Sequence, residues 1–218
     1  HRTKRWCYGY WMEIGMRVLV ACEFSQVVTK AFRERGHEAY SCDILPTEGN
    51  PDWHIQDDVL KHLGDGWDLM IAHPPCTYLC VTGNKWFKPE YKDRFPNRER
   101  DRQDAIKFFL QLVNAPINKI AIENPIGVMS GIYRKPNQII QPYMFGESFS
   151  KKTCLWLKNI PPLMPTSIVS QGERMILKSG KTMPDWYARP KHDSDRTKLR
   201  NRTFQGIATA MAEQWGVL

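Results

Sequence analysis

Five apolar runs, each ending on a polar cluster, constrain the fold more than any other feature of this 218-residue chain. MRVLVACEF (Met16–Phe24) reads as a buried strand, and the amphipathic SQVVTKAFRERG after it reads as a helix that stops at Gly36. HEAYSCDIL (His37–Leu45) alternates and reaches an acid, and HIQDDVLKHL reads as a short strand leading into a short helix. WDLMIAHPPC ends at two prolines, DAIKFFLQLVN has helical spacing, and NKIAIENP is a further short strand. Strand alternating with helix predicts an α/β fold with a mainly parallel, doubly wound sheet and helices on both faces. Ligands in such sheets bind at the carboxyl ends of the strands. Here those ends are ACEFS, CDIL, QDDV, HPPC and ENP, which gather the unusual polar residues of this half.

Beyond Pro125 the pattern is sparser. Thr153–Leu157 reads as a strand, RMILKSGKTM as a hairpin around Ser179-Gly180, and RTFQGIATAMAEQWG as a closing helix. Residues 1–15 mix basic and aromatic residues without periodicity, as a leader, an expression remnant or an ordered arm would. The expected divisions are 1–15, a catalytic core at 16–165, a small basic segment at 166–202, and a helix at 203–218 returning to the core.

No apolar run approaches the ~18 residues of a membrane span. No secretory signal is evident. The cysteines, Cys7, Cys22, Cys42, Cys76, Cys80 and Cys154, form no CxxC pair and no zinc set, so reduced thiols in a cytoplasmic monomer are expected and no metal. The net charge of +8 points to a polyanionic partner. Residues 166–202 hold nine Lys/Arg against four Asp/Glu and so supply +5 of it.

The first strand-to-helix turn lacks GxGxxG. Its backbone can still face a nucleoside, Asp43 stands where an acid accepts hydrogen bonds from a ribose, and Asp58 where one takes an adenine amino group. Singly, such acids more often cap helices; in series they point to an adenosine-containing cofactor. HPPC followed by ENP forty-seven residues later is more specific. A pyrimidine C5 becomes nucleophilic once a thiolate has added at C6, and the addition needs a proton donor at N3. Cys76, behind Pro74 and Pro75, is the candidate thiol. Glu123 is the candidate donor, a carboxyl whose pKa an apolar pocket would raise. Asn124 either holds the loop or reads the base edge. Cys80, four residues on, reads as an ordinary small core residue.

The order VLVACEFS, CDILP, DDV, AHPPCTYL, IENP and RTFQGIATAMAEQWG resembles the DNA cytosine-5 methyltransferases, more closely the small versions found in bacteriophages, over residues 16–218. That resemblance implies a class I, Rossmann-like S-adenosylmethionine-dependent methyltransferase sheet. It implies a cofactor over Ala21, Cys22, Glu23, Phe24, Ser25, Asp43, Ile44, Asp58 and Pro74, with the last helix behind it near Gly206. Cys76 is then the nucleophile and Glu123 the N3 partner, assisted by Pro75 and Asn124. The substrate is double-stranded DNA, with the cytosine flipped out of the stack. The chain departs from the family in having CEFSQVV where a glycine-rich loop is usual, Asp43 where the ribose acid is normally glutamate, and no large target-recognition domain. Lys151, Lys152 and Thr153 occupy the approximate place of an arginine-bearing strand. Residues 82–102 are then expected to be a mobile loop closing over DNA, with Trp86 or Phe87 filling the gap left by the base. Lys85, Lys178, Lys181, Arg200 and Arg202 are further candidate DNA contacts.

Two other readings fit some of the same residues. An amino-methyltransferase acting on adenine N6 or cytosine N4 has an Asp/Asn-Pro-Pro-aromatic tetrad, and His73 and Cys76 would stand at its first and last positions. An enzyme of free pyrimidine nucleotides, similar to thymidylate synthase, also has a nucleophile that follows two prolines.

Overall fold

The computed structural model describes residues 4–7, 10–13, 15–177, 180–188 and 203–218. Near the N-terminus β1 (Lys4–Cys7) and β2 (Tyr10–Glu13) pair as an antiparallel hairpin. The apolar runs of the sequence then become parallel strands: β3 (Arg17–Ala21), β4 (Glu38–Asp43), β5 (His54–Gln56), β6 (Leu69–Ala72) and β7 (Lys119–Pro125). Two further strands, β8 (Gln138–Ile140) and β9 (Thr153–Lys158), complete a seven-stranded sheet of order β5-β4-β3-β6-β7-β9-β8, with β8 at its edge. Only β9 runs against the rest, antiparallel to both β7 and β8. This is the expected α/β fold, a mainly parallel, doubly wound sheet with helices on both faces.

Both faces of the central strands are covered, which is why they read as continuous apolar runs. Val18, Val20, Leu69, Ile71 and Ala121 pack against α1 (Val27–Arg33) and the closing helix Gln205–Trp215. Leu19, Ala21, Met70, Ala72, Ile120 and Ile122 pack against Ile106, Phe109 and Leu112 of α2 (Arg98–Val113). Burying one such side chain contributes about 1.5–3 kcal/mol. Two further short helices are α3 (Met129–Ile132) and α4 (Asp185–Ala188), so the closing helix is α5. The buried alanines 208, 210 and 212 let it approach α1 closely. A hairpin of β10 (Arg174–Ile176) and β11 (Thr182–Pro184) forms in the basic segment, as its sequence predicts.

Two sequence expectations change. Helix α2 begins at Arg98, six residues before the periodic DAIKFF segment, because its first turns are charged and carry no apolar stripe. The remainder of residues 82–102 is not an open loop: 3-10 turns span Val81–Phe87 and Pro89–Tyr91.

The strand order reverses between β3 and β6, which leaves a crevice at their carboxyl ends. Here the missing glycines are explained. Cys22 and Gln26 hold the left-handed conformation, with φ of 60° and 59°, where a side chain costs about 1–2 kcal/mol. Hydrogen bonds offset that cost. The Cys22 amide donates to the Cys42 carbonyl at 2.7 Å. The fully buried Gln26 side chain donates to the Ser41 hydroxyl and the Asn50 carbonyl, and accepts from the Asn50 amide at 2.7 Å.

Candidate active site

Strand register builds the centre of the site. Ala72 lies opposite Ile122 in the β6–β7 ladder, so the next residues, His73 and Glu123, emerge side by side. His73 Nδ1 is 3.2 Å from Glu123 Oε2, and His73 Nε2 is buried with no hydrogen-bond partner. Thr153, at the start of β9, also hydrogen-bonds the Glu123 carboxylate, and Lys151 acts on it electrostatically. The pocket is therefore polar, and the expected upward shift is reversed. Burial alone would raise the Glu123 carboxyl, but His73, Lys151 and Thr153 outweigh it and hold the group below the ordinary glutamate range. In the free protein Glu123 is an anion.

Asn124 is 2% exposed, and its Nδ2 donates to the Pro74 carbonyl at 2.7 Å. This hydrogen bond ties the Pro74-Pro75 step to β7, as the first of its two sequence-derived roles would require. Pro74 is buried and Pro75 exposed. Cys76 follows, half-buried, close enough to Glu123 and Lys151 to feel both charges. The carbonyl of Cys76 accepts from the amides of Leu79 and Cys80, each at 3.0 Å, so Cys76–Cys80 is one tight turn. The loop after β7 clamps this turn: the Val128 amide donates to the Leu79 carbonyl at 2.9 Å and the Val81 amide to the Ile126 carbonyl at 3.1 Å.

Two residues outside the cytosine-5 site as read from the sequence lie in the same cluster. His73 pairs with Glu123. Cys80 closes the turn by donating its amide to the Cys76 carbonyl, and its sulfur lies 3.0 Å from the Thr82 hydroxyl. The i,i+4 spacing of the cysteines was the available signal for the second; nothing local in the sequence signals the first, which depends on strand register.

The residues expected at the cofactor divide into two groups. Asp43, Asp58 and Cys22 lie together, since both carboxylates act on the Cys22 thiol, and Ile44 beside them is 73% exposed. Asp43 accepts from the Leu45 amide at 2.9 Å and Asp58 caps a 3-10 turn through the Leu60 amide at 3.0 Å. Each cap uses one carboxylate oxygen. Paired acids with an uncovered apolar side chain at a topological switch point suit the hydroxyls, amine and flat ring of an adenosyl group. Ala21 is fully buried below them and Ser25 is half-buried in the turn. The Phe24 carbonyl is taken up by the Thr47 hydroxyl and the Glu48 amide.

Glu23 and Gly206 have other work. The buried Glu23 carboxylate accepts from the amides of Val28 and Thr29 and from the Thr29 hydroxyl at 2.7 Å, capping α1. The Gly206 amide donates to Glu147, and a Cβ there would meet the Phe145 carbonyl oxygen. Its smallness serves helix packing.

Among the candidate DNA contacts, Lys151 belongs to the Glu123 pocket, its ammonium 5.6 Å from the Phe204 ring, while Lys152 and Lys181 are exposed. Lys178, Arg200 and Arg202 lie outside the described residues. Trp86 is packed edge-on against Tyr91 and Phe95, with Lys85 4.2 Å from its ring centre. Phe87 lies under Arg102 at 3.4 Å. Arg98 and Arg102 anchor this segment. The buried Arg98 donates to the Gly83 carbonyl, and Arg102 donates to the Tyr78 carbonyl at 2.9 Å and to Asn84 at 2.7 Å.

Comparison with known proteins follows the fold. No family model and no curated protein matches the chain. Solved structures do. One of them is an E. coli protein provisionally described as a DNA modification methyltransferase encoded within a prophage. It aligns at 13% identity and a TM-score of 0.43, over 71% of this chain and 52% of that one. The chain thus spans about half the length of that structure.

Among the described residues no helix is long and apolar enough to cross a membrane.

Proposed function

We propose that this chain is a DNA methyltransferase that transfers a methyl group from S-adenosylmethionine to C5 of a flipped cytosine through a covalent bond between Cys76 and C6. The observation that carries the reading is the meeting of Cys76 and Glu123 at neighbouring strand ends, with Asn124 fixing the loop between them. A thiol and a carboxylate on one side of a crevice can engage C6 and N3 of a single pyrimidine ring. The paired acids Asp43 and Asp58, with Cys22 and Ile44, would hold the cofactor, which supplies an electrophilic methyl group.

Glu123 is ionised before substrate arrives, so it does not enter the reaction as a preformed acid. A base that enters the pocket excludes solvent from the carboxylate, which strengthens the upward push of burial against His73, Lys151 and Thr153. The carboxyl takes up a proton that it shares with N3, which neutralises the charge developing as Cys76 adds to C6. His73 and Thr153 keep the other carboxylate oxygen oriented. The +8 charge and exposed lysines such as Lys152 and Lys181 suit a phosphate backbone. A compact basic segment at 166–202 favours phosphate contacts over base contacts, so recognition of two to four base pairs is expected.

The test is incubation with labelled S-adenosylmethionine and duplex DNA containing 5-fluorocytosine. A denaturation-resistant adduct that disappears in Cys76→Ser supports cytosine-5 chemistry. Label on an exocyclic nitrogen without an adduct assigns the amino-methyltransferase reaction instead. Turnover on free nucleotides with none on DNA assigns the nucleotide enzyme.

A further inference from the structure

Residues 81–97 follow the Cys76–Cys80 turn directly and lead into α2. Two arginines of that helix, one helical turn apart, each bridge the turn and this segment. Arg98 donates to the Gly83 carbonyl at 3.3 Å and, at the longer 3.5 Å, to the Thr77 carbonyl. Arg102 donates to the Tyr78 carbonyl at 2.9 Å and to the Asn84 side chain at 2.7 Å. The buried Gly83 sits so close that a Cβ there would come within 3.0 Å of the Thr77 carbonyl oxygen and 3.1 Å of Arg98. Aromatic rings repeat the linkage. The Arg98 guanidinium lies 5.2 Å from the ring centre of Tyr78, on the turn, and 4.8 and 5.6 Å from those of Phe87 and Phe95, on the segment. Phe95 in turn packs edge-on against Trp86.

Stability does not account for Arg98. The residue is 9% exposed, and its Nε is buried without a hydrogen-bond partner. An apolar side chain of similar volume would fill the same space at least as favourably, because a buried guanidinium carries a desolvation cost. What an apolar side chain lacks is donors for two chain segments at once.

We infer that Arg98 and Arg102 are positioning residues that hold segment 81–97 folded on the Cys76–Cys80 turn in the free protein. DNA then meets a fixed surface in register with Cys76, not a loop that closes afterwards. The inference rests on the reading of Cys76 as the nucleophile. Exposed Lys85 and Arg94 ride on this segment, their cations 4.2 and 5.8 Å from the Trp86 ring centre. A phosphate that meets them is placed relative to the thiol before the base leaves the stack. No loop-ordering entropy then opposes the encounter.

Hydrogen exchange on the free full chain, read by mass spectrometry, tests the held segment. The amides of Gly83, Tyr91 and Phe95 donate to the Cys80, Lys88 and Tyr91 carbonyls, so peptides covering 81–97 should be protected before DNA is added. Exchange there at the rate of an unfolded peptide overturns the inference. Arg98→Met keeps the bulk and removes the donors. Its melting temperature should stay near wild type, while iodoacetamide alkylates Cys76 about tenfold faster, mapped by fragmentation. Its 5-fluorocytosine adduct should form about 100-fold more slowly. A thiol that is more accessible yet less productive is the signature of lost positioning. Arg98→Lys keeps the charge but cannot bridge both carbonyls while lying against the rings, so it should share the defect. A wild-type adduct rate in either variant overturns the inference, and so does a collapsed melting curve in Arg98→Met, which makes the role structural. Protection over 81–97 and faster alkylation of Arg98→Met, with no adduct from either protein, support the held segment and overturn the cytosine-5 reading.

Discussion

Replacing Asn124 by alanine separates holding the loop from reading the base. The 2.7 Å hydrogen bond from its side chain is the one described contact between the β7 end and the Pro74 carbonyl, and Asn124 is 2% exposed. Truncation leaves a buried carbonyl without its donor, at a cost of about 1–3 kcal/mol. For a chain of this size, a loss of about 2 kcal/mol lowers the melting temperature by about 4–8 °C. The released Pro74-Pro75 step then no longer fixes Cys76, and a displacement of about 1 Å costs about 100-fold in rate. Thermal melts should therefore fall together with single-turnover adduct formation, and affinity for cofactor should stay near wild type. Asn124→Asp should be worse, since its carboxylate offers no donor and faces the Pro74 oxygen. An alanine variant that melts within about 1 °C of wild type and is defective only in KM for DNA would refute this reasoning and make Asn124 a base-reading residue.

Gly127→Ala drives a Cβ into the Leu79 carbonyl oxygen, so the Cys76–Cys80 turn must move; adduct formation should drop about 100-fold while cofactor affinity, measured by calorimetry, is kept. Glu123 also sets an acid limit on stability. Its folded-state pKa lies below the ordinary 4.5, so its contribution is fully present above that value and is lost as pH falls through the depressed one. Glu123→Gln should accordingly be less stable than wild type at pH 7 in urea, with the gap closing toward pH 3. His73→Gln removes the imidazole hydrogen bond that does most to hold the carboxyl down, so the Glu123 titration followed by carbon NMR should move upward.

The sequence by itself determined the sheet, because a strand buried on both faces must be apolar throughout and must end where polar residues resume. It also placed Cys76, Glu123, Asn124, Asp43 and Asp58 at strand ends, since in a parallel sheet every carboxyl end lies on one side. It missed the start of α2, whose charged first turns carry no hydrophobic period. Only the tertiary structure decided the ionisation of the site. Whether Glu123 is held up or down depends on His73, Lys151 and Thr153, which reach it through register across β6, β7 and β9 rather than through proximity in the chain. The stretch IAHPPCTYLC contains Cys76 and Cys80, but the surroundings of each form only when the turn, the loop after β7 and the arginines of α2 pack together. Residue types limit which chemistry is available. Packing decides which group holds the proton, because desolvation and neighbouring charges act over a few ångströms of space, whatever the separation in sequence.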